Sequence, residues 1–317
     1  NHPKVVLISP PSPWLLSDRE HPPDNLLTIA AFLREKGVNI QFCDLNGFPE
    51  KYWFIPHGDI YGLSCTTPHY SIVIKIVAKL KARQHDALVV LGGFHPTVEP
   101  ERTIRDTKCD IVIKGEGEQA MLDIVNGKRD KIVTAPLVEN IDDIPMPAWD
   151  LIDMHDYVKM GTNSVIGPTP NNKEAKILTA RGCPFDCAFC AQAAISKRRM
   201  RYKSVQRVVD EIKHVHYTYG VDRVNFFDDT FIVDDKRVVK LCAGLKDIHD
   251  EGILYDWHCL TRADRTDPEL FRIMKEAGCS QLTYGIETGS QKILDIIEKQ
   301  TTVEENMNAI KIAKAAG

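Results

Sequence analysis

Three cysteines fall within eight positions of the stretch "RGCPFDCAFC", at Cys183, Cys187 and Cys190. Paired disulfides fit poorly, because neighbours in so tight a group compete and one thiol is always left over. Structural zinc closes its shell with four ligands, commonly in CxxC pairs, whereas this spacing is CxxxCxxC and no second pair follows. Iron–sulfur clusters are held through cysteine thiolates, usually four. Three would leave one iron with an open site, which suits chemistry better than simple electron transfer. The preferred reading is a catalytic cluster, ahead of zinc or coincidence.

The elements that must position these thiols alternate between strand and helix. "KILTARG" (176–182) reads as a strand that delivers the cysteines from its carboxyl end, where barrel active sites belong. It is followed by the Ser-capped helix 204–220, strand 222–230, helix 236–252, strand 254–264, helix 267–277, strand 280–290 and two further helical segments. Four βα units predict a partial (β/α) barrel, cut short in this chain.

Residues 1–127 show five short strands: "VVLIS" (5–9), "NIQFCDLN" (39–46), "DIYGLSC" (59–65), "ALVVLGG" (87–93) and "CDIVIKG" (109–115). Helices lie between them, including a short one near 99–106, so the fold class is α/β with a doubly wound parallel sheet. Ligands of such sheets sit beyond the carboxyl ends of the strands. The loops there supply Ser64, Thr66, Thr67, Gly92, Gly93 and His95, unless they are ordinary turns. Residues 128–175 are proline-rich with little periodicity and read as an interdomain connector.

Composition sets the bounds. The 317 residues suit about two domains, and 43% hydrophobic and 26% charged residues are ordinary for a globular protein. A net charge of −4 supplies no basic field for nucleic acid or an anionic membrane. No apolar run reaches membrane-span length, and "NHPKVVLISPP" lacks a signal-peptide core. Nine cysteines without a disulfide framework point to a reducing cytoplasm.

The cysteine segment, with the aromatic Phe189 directly before its last thiol, resembles the signature of the radical S-adenosylmethionine (SAM) enzymes. The resemblance continues through "FFDDTF", "LTRAD" and "YGIETGS", covering about 176–317. It implies a 4Fe–4S cluster on Cys183, Cys187 and Cys190, with SAM chelated to the unique iron and cleaved to a 5′-deoxyadenosyl radical. It also implies an electron donor such as flavodoxin or ferredoxin, and a small-molecule or peptide substrate. The first half is similar to the cobalamin-binding domain fused to one subgroup of these enzymes, through "LREKG", "IYGLSCTTPHY", "LGGFHPT", "IKGEGE" and "IPMPAWDL". "SPPSP" stands where an Asp-x-His-x-x-Gly loop would offer an axial histidine, so cobalamin is expected without a histidine from that loop. His69 and His95 are read as solvated polar residues.

For SAM the resemblance points to Phe189, Asp228, Asp229, Thr230, Arg262, Glu287 and Ser290. Alternation along strand 254–264 groups Asp256, His258, Leu260 and Arg262 toward the lumen, with Arg262 placed to pair with the methionine carboxylate. The same alternation groups Thr283, Gly285 and Glu287, whose carboxylate suits ribose hydroxyls. The competing role for the acidic residues is capping of the next helix. The run Lys197, Arg198, Arg199, Arg201 and Lys203 reads as solvated surface, with phosphate binding as its alternative. Cys43, Cys65 and Cys109 are expected as buried structural thiols at opposite edges of the sheet, which argues against methylthiotransferase chemistry on tRNA or ribosomal protein. The reading is a cobalamin-dependent radical SAM enzyme that methylates an unreactive carbon. The rivals are a cyclase like the oxygen-independent one of bacteriochlorophyll synthesis, and a non-catalytic cobalamin-binding module.

Overall fold

Residues of "VVLIS" send side chains alternately to two sides of a sheet, and both sides are apolar. Val5 and Leu7 join one buried cluster, while Val6 and Ile8 join another. A strand with two dry faces belongs in the middle of a doubly wound sheet. The structure, a computed structural model, describes residues 3–15, 17–159 and 169–317. The first two residues of the chain and residues 160–168 of the expected connector lie outside the described residues. Two compact units result, Asn1–Glu139 with Asp143–Tyr157, and Asn140–Asp142 with Val158–Gly317.

In the first unit, β1 (Val5–Ser9), β2 (Ile40–Asp44), β3 (Ile60–Ser64), β4 (Leu88–Gly92), β5 (Ile111–Lys114) and β6 (Ile132–Thr134) form one sheet. Its order is β2-β1-β3-β4-β5-β6, with every pairing parallel. Helices α1 (Asp24–Glu35) and α5 (Glu118–Val125) cover one face, and α2 (Tyr70–Arg83) covers the other. Each fully buried Val, Leu or Ile contributes roughly 1.5–3 kcal/mol. The order reverses between β1 and β3, which opens the crevice where ligands of such sheets bind. The helix expected near 99–106 is a pair, α3 (Phe94–Val98) and α4 (Pro100–Thr107).

The sheet has one strand more than the five expected. β6 is too short to show a period, yet Val133 is buried in the first cluster. The front of the presumed connector is also fastened to this unit. Trp149 Nε1 donates to Asp24 at 2.9 Å. Tyr157, on α6 (Met154–Tyr157), donates its hydroxyl to Asp44 at 2.6 Å.

The second unit holds four parallel strands, β7 (Glu174–Ile177), β10 (Arg223–Phe226), β11 (Asp256–Thr261) and β12 (Cys279–Tyr284), in the order β12-β11-β10-β7. Between them come the ribbon strands β8 (Ala180–Arg181) and β9 (Arg201–Tyr202), and the helices α7 (Gln192–Ser196), α8 (Val205–Tyr219), α9 (Asp235–Asp250) and α10 (Pro268–Glu276). Helices α11 (Gln291–Ile296) and α12 (Val303–Ala315) follow. Ser204, Asp234, Asp267 and Thr302 each accept a backbone N–H at a helix start. Among the described residues no helix is long and apolar enough to cross a membrane.

Two strands end earlier than expected. β7 stops at Ile177, and Ala180–Arg181 turns aside into an antiparallel pair with β9. β12 stops at Tyr284, so Glu287 and Ser290 lie in the following loop, and Arg262 lies just past β11. Strand alternation therefore does not orient these three residues. Within β11 it holds: Trp257, Cys259 and Thr261 are sealed against the helices, and Trp257 packs on Phe226 and Phe231 with ring centroids 5.3 and 5.4 Å away.

Candidate functional site

The cysteine loop opens at Gly182, whose φ is +102°. A Cβ there would stand 2.1 Å from the Arg199 carbonyl oxygen, so only glycine lets the loop cross the ribbon this closely. Cys183 and Cys187 are half-buried, Cys190 is exposed, and all three thiols are free. The Cys190 N–H donates to the Cys187 carbonyl at 3.0 Å, and the Ala188 N–H donates to the Ile297 carbonyl at 2.9 Å. Burial pushes the Cys183 thiol up; the Phe185 N–H offsets part of this, while Asp229, Cys190 and Cys187 add to it. Thiolates crowded in this way need a cationic group among them to stay ionised.

Among the described residues no three His, Cys, Asp or Glu side chains converge as the ligands of one metal ion. Tetrahedral zinc at about 2.3 Å from each sulfur would draw the thiols into contact. A cuboidal cluster instead takes each thiolate on a different iron, which fits three thiols spread along one loop.

The residues expected to bind SAM divide into two groups. Asp228 is 4% exposed. One of its oxygens accepts the Thr179 and Ala180 N–H groups at 2.6 and 3.1 Å, and the other accepts the Thr179 hydroxyl. This carboxylate staples the chain where β7 breaks off. Arg262 is 5% exposed. Its Nε and Nη2 fork onto Asp264 at 2.9 and 3.1 Å, and Nη2 also reaches the Lys299 carbonyl at 2.6 Å. The guanidinium lies 3.8 Å from the centre of the Phe185 ring, and Nη1 contacts Cys187 Sγ at 3.7 Å. The carboxylate partner expected from SAM is thus replaced by Asp264. Thr230 is also buried, with no partner for its hydroxyl among the described residues.

Asp229, Phe189, Glu287 and Ser290 form the accessible group. Asp229 accepts the Gly182 N–H; its tip is exposed, yet protein packed around it and the charge of Asp228 push it up to about 6. Phe189 is exposed and lies 5.7 Å from the Lys299 ammonium, which donates to Glu287 at 2.7 Å. Glu287 adopts a left-handed backbone, φ +61°. Ser290 precedes α11 without capping it through its side chain. Sequence reasoning missed Thr179, Phe185 and Lys299, because their roles depend on partners far away in the chain, and Asp264, because Arg262 was matched to a ligand carboxylate instead of its near neighbour.

Asp256, expected to face a cofactor, is buried in a bidentate pair with Arg223, its Oδ2 at 2.6 Å from Nη2. On the same face His258 Nε2 lies 3.0 Å from Glu174. Nearer the carboxyl ends of the strands Leu178, Phe227 and Leu260 are exposed. The basic run is only partly solvated: Arg201 is buried and Lys203 pairs with buried Glu211 at 2.6 Å.

In the first unit, His69 and His95 are not solvated residues. His69 bridges the β1 and β3 loops, with Ser12 Oγ at 3.0 Å from Nε2 and Thr66 Oγ1 at 2.7 Å from Nδ1. Trp14 packs edge-on against its ring at 4.6 Å. His95 is buried under Tyr70 at 4.0 Å with Thr67 Oγ1 at 3.2 Å from Nδ1, and its Nε2 has no partner among the described residues. Ser64 Oγ accepts from Asn25 at 2.7 Å. Gly93, at φ +103°, is packed against its own fold, since a Cβ would meet the Cys65 carbonyl oxygen at 2.9 Å. Gly92 has room, with Ile113 3.8 Å from the Cβ position. The hydroxyls of Ser64, Thr66 and Thr67 at this sheet edge, with the unpartnered His95 Nε2 among them, fit an amide-rich ligand such as cobalamin. Cys43, Cys65 and Cys109 are buried in one apolar cluster, and burial, with Cys109 adding to it, pushes Cys65 up to about 12. They are buried among apolar side chains, but in a single cluster rather than isolated at opposite edges.

A doubly wound sheet joined in sequence to a parallel βα sheet with a three-thiol loop defines a two-cofactor class of enzyme. Residues 177–317 match the radical SAM superfamily, and residues 17–125 match the B12 binding domain. An uncharacterized methyltransferase of Pyrococcus horikoshii is 30% identical, across 99% of this chain and 72% of its own length. The anaerobic magnesium-protoporphyrin IX monomethyl ester cyclase of Rubrivivax gelatinosus is 28% identical, across 82% of this chain and 49% of its own. The solved structure of OxsB, a cobalamin-dependent S-adenosylmethionine radical enzyme, superposes with a TM-score of 0.78 at 18% identity, over 100% of this chain and 48% of that one. This chain therefore belongs to the radical SAM superfamily, in the group that carries a B12-binding domain. The cofactors of that group are a 4Fe–4S cluster, SAM and cobalamin. The chain spans about half the length of the cyclase and of OxsB.

Proposed function

We propose that this protein is a cobalamin-dependent radical SAM methyltransferase that alkylates an unreactive carbon of a small-molecule or peptide substrate. The observation that carries the reading is the loop of three free thiols at the carboxyl edge of the second sheet. Identity favours methyl transfer: a methyltransferase is 30% identical across 99% of the chain, whereas a cyclase that aligns across 98% is 24% identical. When bound, these groups supply an electron, a hydrogen-abstracting adenosyl radical and a methyl carrier.

The residues divide the remaining work. Cys183, Cys187 and Cys190 hold the cluster. Asp229, Phe189, Glu287 and Ser290 are the SAM contacts in this reading, which the exposure of Asp229 and the reach of its charge to Cys183 support. Exposed Leu178, Phe227 and Leu260, at the carboxyl ends of their strands, supply the apolar surface that keeps water from the reacting carbon. Ser64, Thr66, Thr67, Gly92 and His95 line the cobalamin crevice. A flavodoxin or ferredoxin donates the electron, in a reducing cytoplasm where the other six thiols stay free.

The test is anaerobic reconstitution followed by product analysis with methyl-labelled SAM. Methyl transfer yields both 5′-deoxyadenosine and S-adenosylhomocysteine. A cyclase, the reading its relative favours, yields the first without the second. A non-catalytic module yields neither.

A further inference from the structure

We infer that Asp228 and Arg262 are positioning residues that brace the cluster loop from its two sides, rather than contacts for SAM. The inference rests on the reading of the three thiols as cluster ligands. Asp228 stands on the loop after β10, yet its three accepted bonds all go to Thr179 and Ala180, just upstream of Cys183. These bonds hold the chain at the point where it leaves the sheet. Arg237 completes the staple by donating to the Thr179 carbonyl at 2.9 Å.

Arg262 acts on the other side. Its guanidinium covers Phe185, between the first two thiols, and touches Cys187 itself. The fork is locked by Asp264 and by the carbonyls of Lys299 and Gln300. Ile297, two residues before Lys299, accepts the Ala188 N–H, so the same segment grips the loop between Cys187 and Cys190. Neither buried group has its hydrogen-bonding face free for a ligand without giving up these partners. A planar, bidentate, stacked arginine is also not replaceable by lysine.

The full-length chain, reconstituted anaerobically with iron and sulfide, is challenged with an iron chelator while the visible absorbance is followed. Asp228→Ala is expected to lose its cluster at least about tenfold faster than wild type, the scale of one lost charge-assisted hydrogen bond. Asp228→Asn is expected to stay within about threefold of wild type, because its amide oxygen still accepts both N–H groups and its NH2 can donate to the Thr179 hydroxyl. Arg262→Lys should resemble Asp228→Ala, and it decides the matter should Asp228→Ala fail a circular-dichroism check of folding. The electron-paramagnetic signal of the reduced cluster is then recorded with and without SAM. A folded Asp228→Ala or Arg262→Lys that keeps its cluster as wild type does overturns the inference. So does an Asp228→Asn protein that keeps the cluster but no longer shows the SAM-induced change, because that outcome makes Asp228 a ligand contact. A wild-type chain that takes up no iron brings down the cluster reading itself, and this inference with it.

Discussion

In the six-stranded sheet both faces are sealed, by Val5, Leu7, Val90 and Ile113 on one side and Val6, Ile8, Leu63 and Leu91 on the other. In the four-stranded sheet only the helix-side face is sealed, around Trp257, Phe226 and Cys259. The opposite face carries Asp256, His258 and the exposed Leu260 and Phe227. The first sheet can therefore offer a ligand only its carboxyl edge, whereas the second also offers the carboxyl part of one face, at Phe227 and Leu260. Polar residues at the edge of the first sheet bond one another across loops, as His69 does with Ser12 and Thr66. Polar residues of the second unit such as Asp228 and Arg262 are drawn inward, around the loop that carries the three thiols.

That contrast is broken most forcefully at the thiols. Replacing Cys183, Cys187 or Cys190 by Ala should abolish the visible iron–sulfur absorbance and all cleavage of SAM. Cys259→Ala and Cys279→Ala, buried on the sealed face, should keep both. A Cys187→Ala protein that retained its cluster would falsify the ligand assignment.

Next in size is the buried pair at the amino-terminal end of the second sheet. Arg223 and Asp256 sit in register on β10 and β11, and Arg223 is 2% exposed. Asp256→Ala removes the bidentate carboxylate from a buried guanidinium, and breaking a buried pair this way costs about 3–5 kcal/mol. Replacing both residues with apolar ones should cost much less. Chemical denaturation of the three proteins measures this. Equal losses in the single and double variants would show that the pair itself contributes more than the penalty of orphaning one charge.

A smaller effect distinguishes two adjacent glycines of the first unit. Gly93→Ala must adopt a positive φ and push against Cys65, a strain of about 1–3 kcal/mol. Gly92→Ala meets only ordinary contact with Ile113 and should fold normally. Hydroxocobalamin titration of the full chain separates stability from binding. The expectation is that Gly92→Ala weakens binding without lowering the unfolding midpoint, while Gly93→Ala lowers both. Unchanged binding in Gly92→Ala would remove that glycine from the crevice.

How legible the molecule was from its residues follows the range of the interactions involved. Apolar runs such as "VVLIS" announce a doubly covered strand because every residue is committed locally, and the Ser204 and Asp267 caps likewise act within one turn. The cysteine spacing is also a local signal. β6 was missed because three residues show no period. Asp228 and Arg262 were legible as important but not as to their role. Their partners lie 49 and 37 residues away, at Thr179 and Lys299, and no pattern within a strand reports that. The two histidines were misread for the same reason: a loop histidine looks solvated until the second loop that covers it is known.

Those histidines supply the smallest expected effect and the sharpest contrast with the second unit. Burial lowers the titration of both His69 and His95 below the ordinary 6.5, with Arg102 adding to the effect at His95 and Glu99 and Asp106 opposing it. A group whose folded pKa is depressed favours the folded state while neutral. That contribution is present above the unfolded value and is lost as pH falls from about 6.5 toward the lower folded value. The first unit should therefore weaken below pH 6.5, by at most about 1.4 kcal/mol for each unit of depression. Amide hydrogen exchange of β3 and β4, compared at pH 7.5 and 5.5 under matched chemical exchange rates, measures the loss directly. In His95→Gln the amide can keep the bond to Thr67 but cannot titrate, so its two curves should draw together. Should the wild-type amides prove equally protected at both pH values, the buried imidazoles carry their protons at no cost and the packing around them is looser than Tyr70 and Trp14 imply.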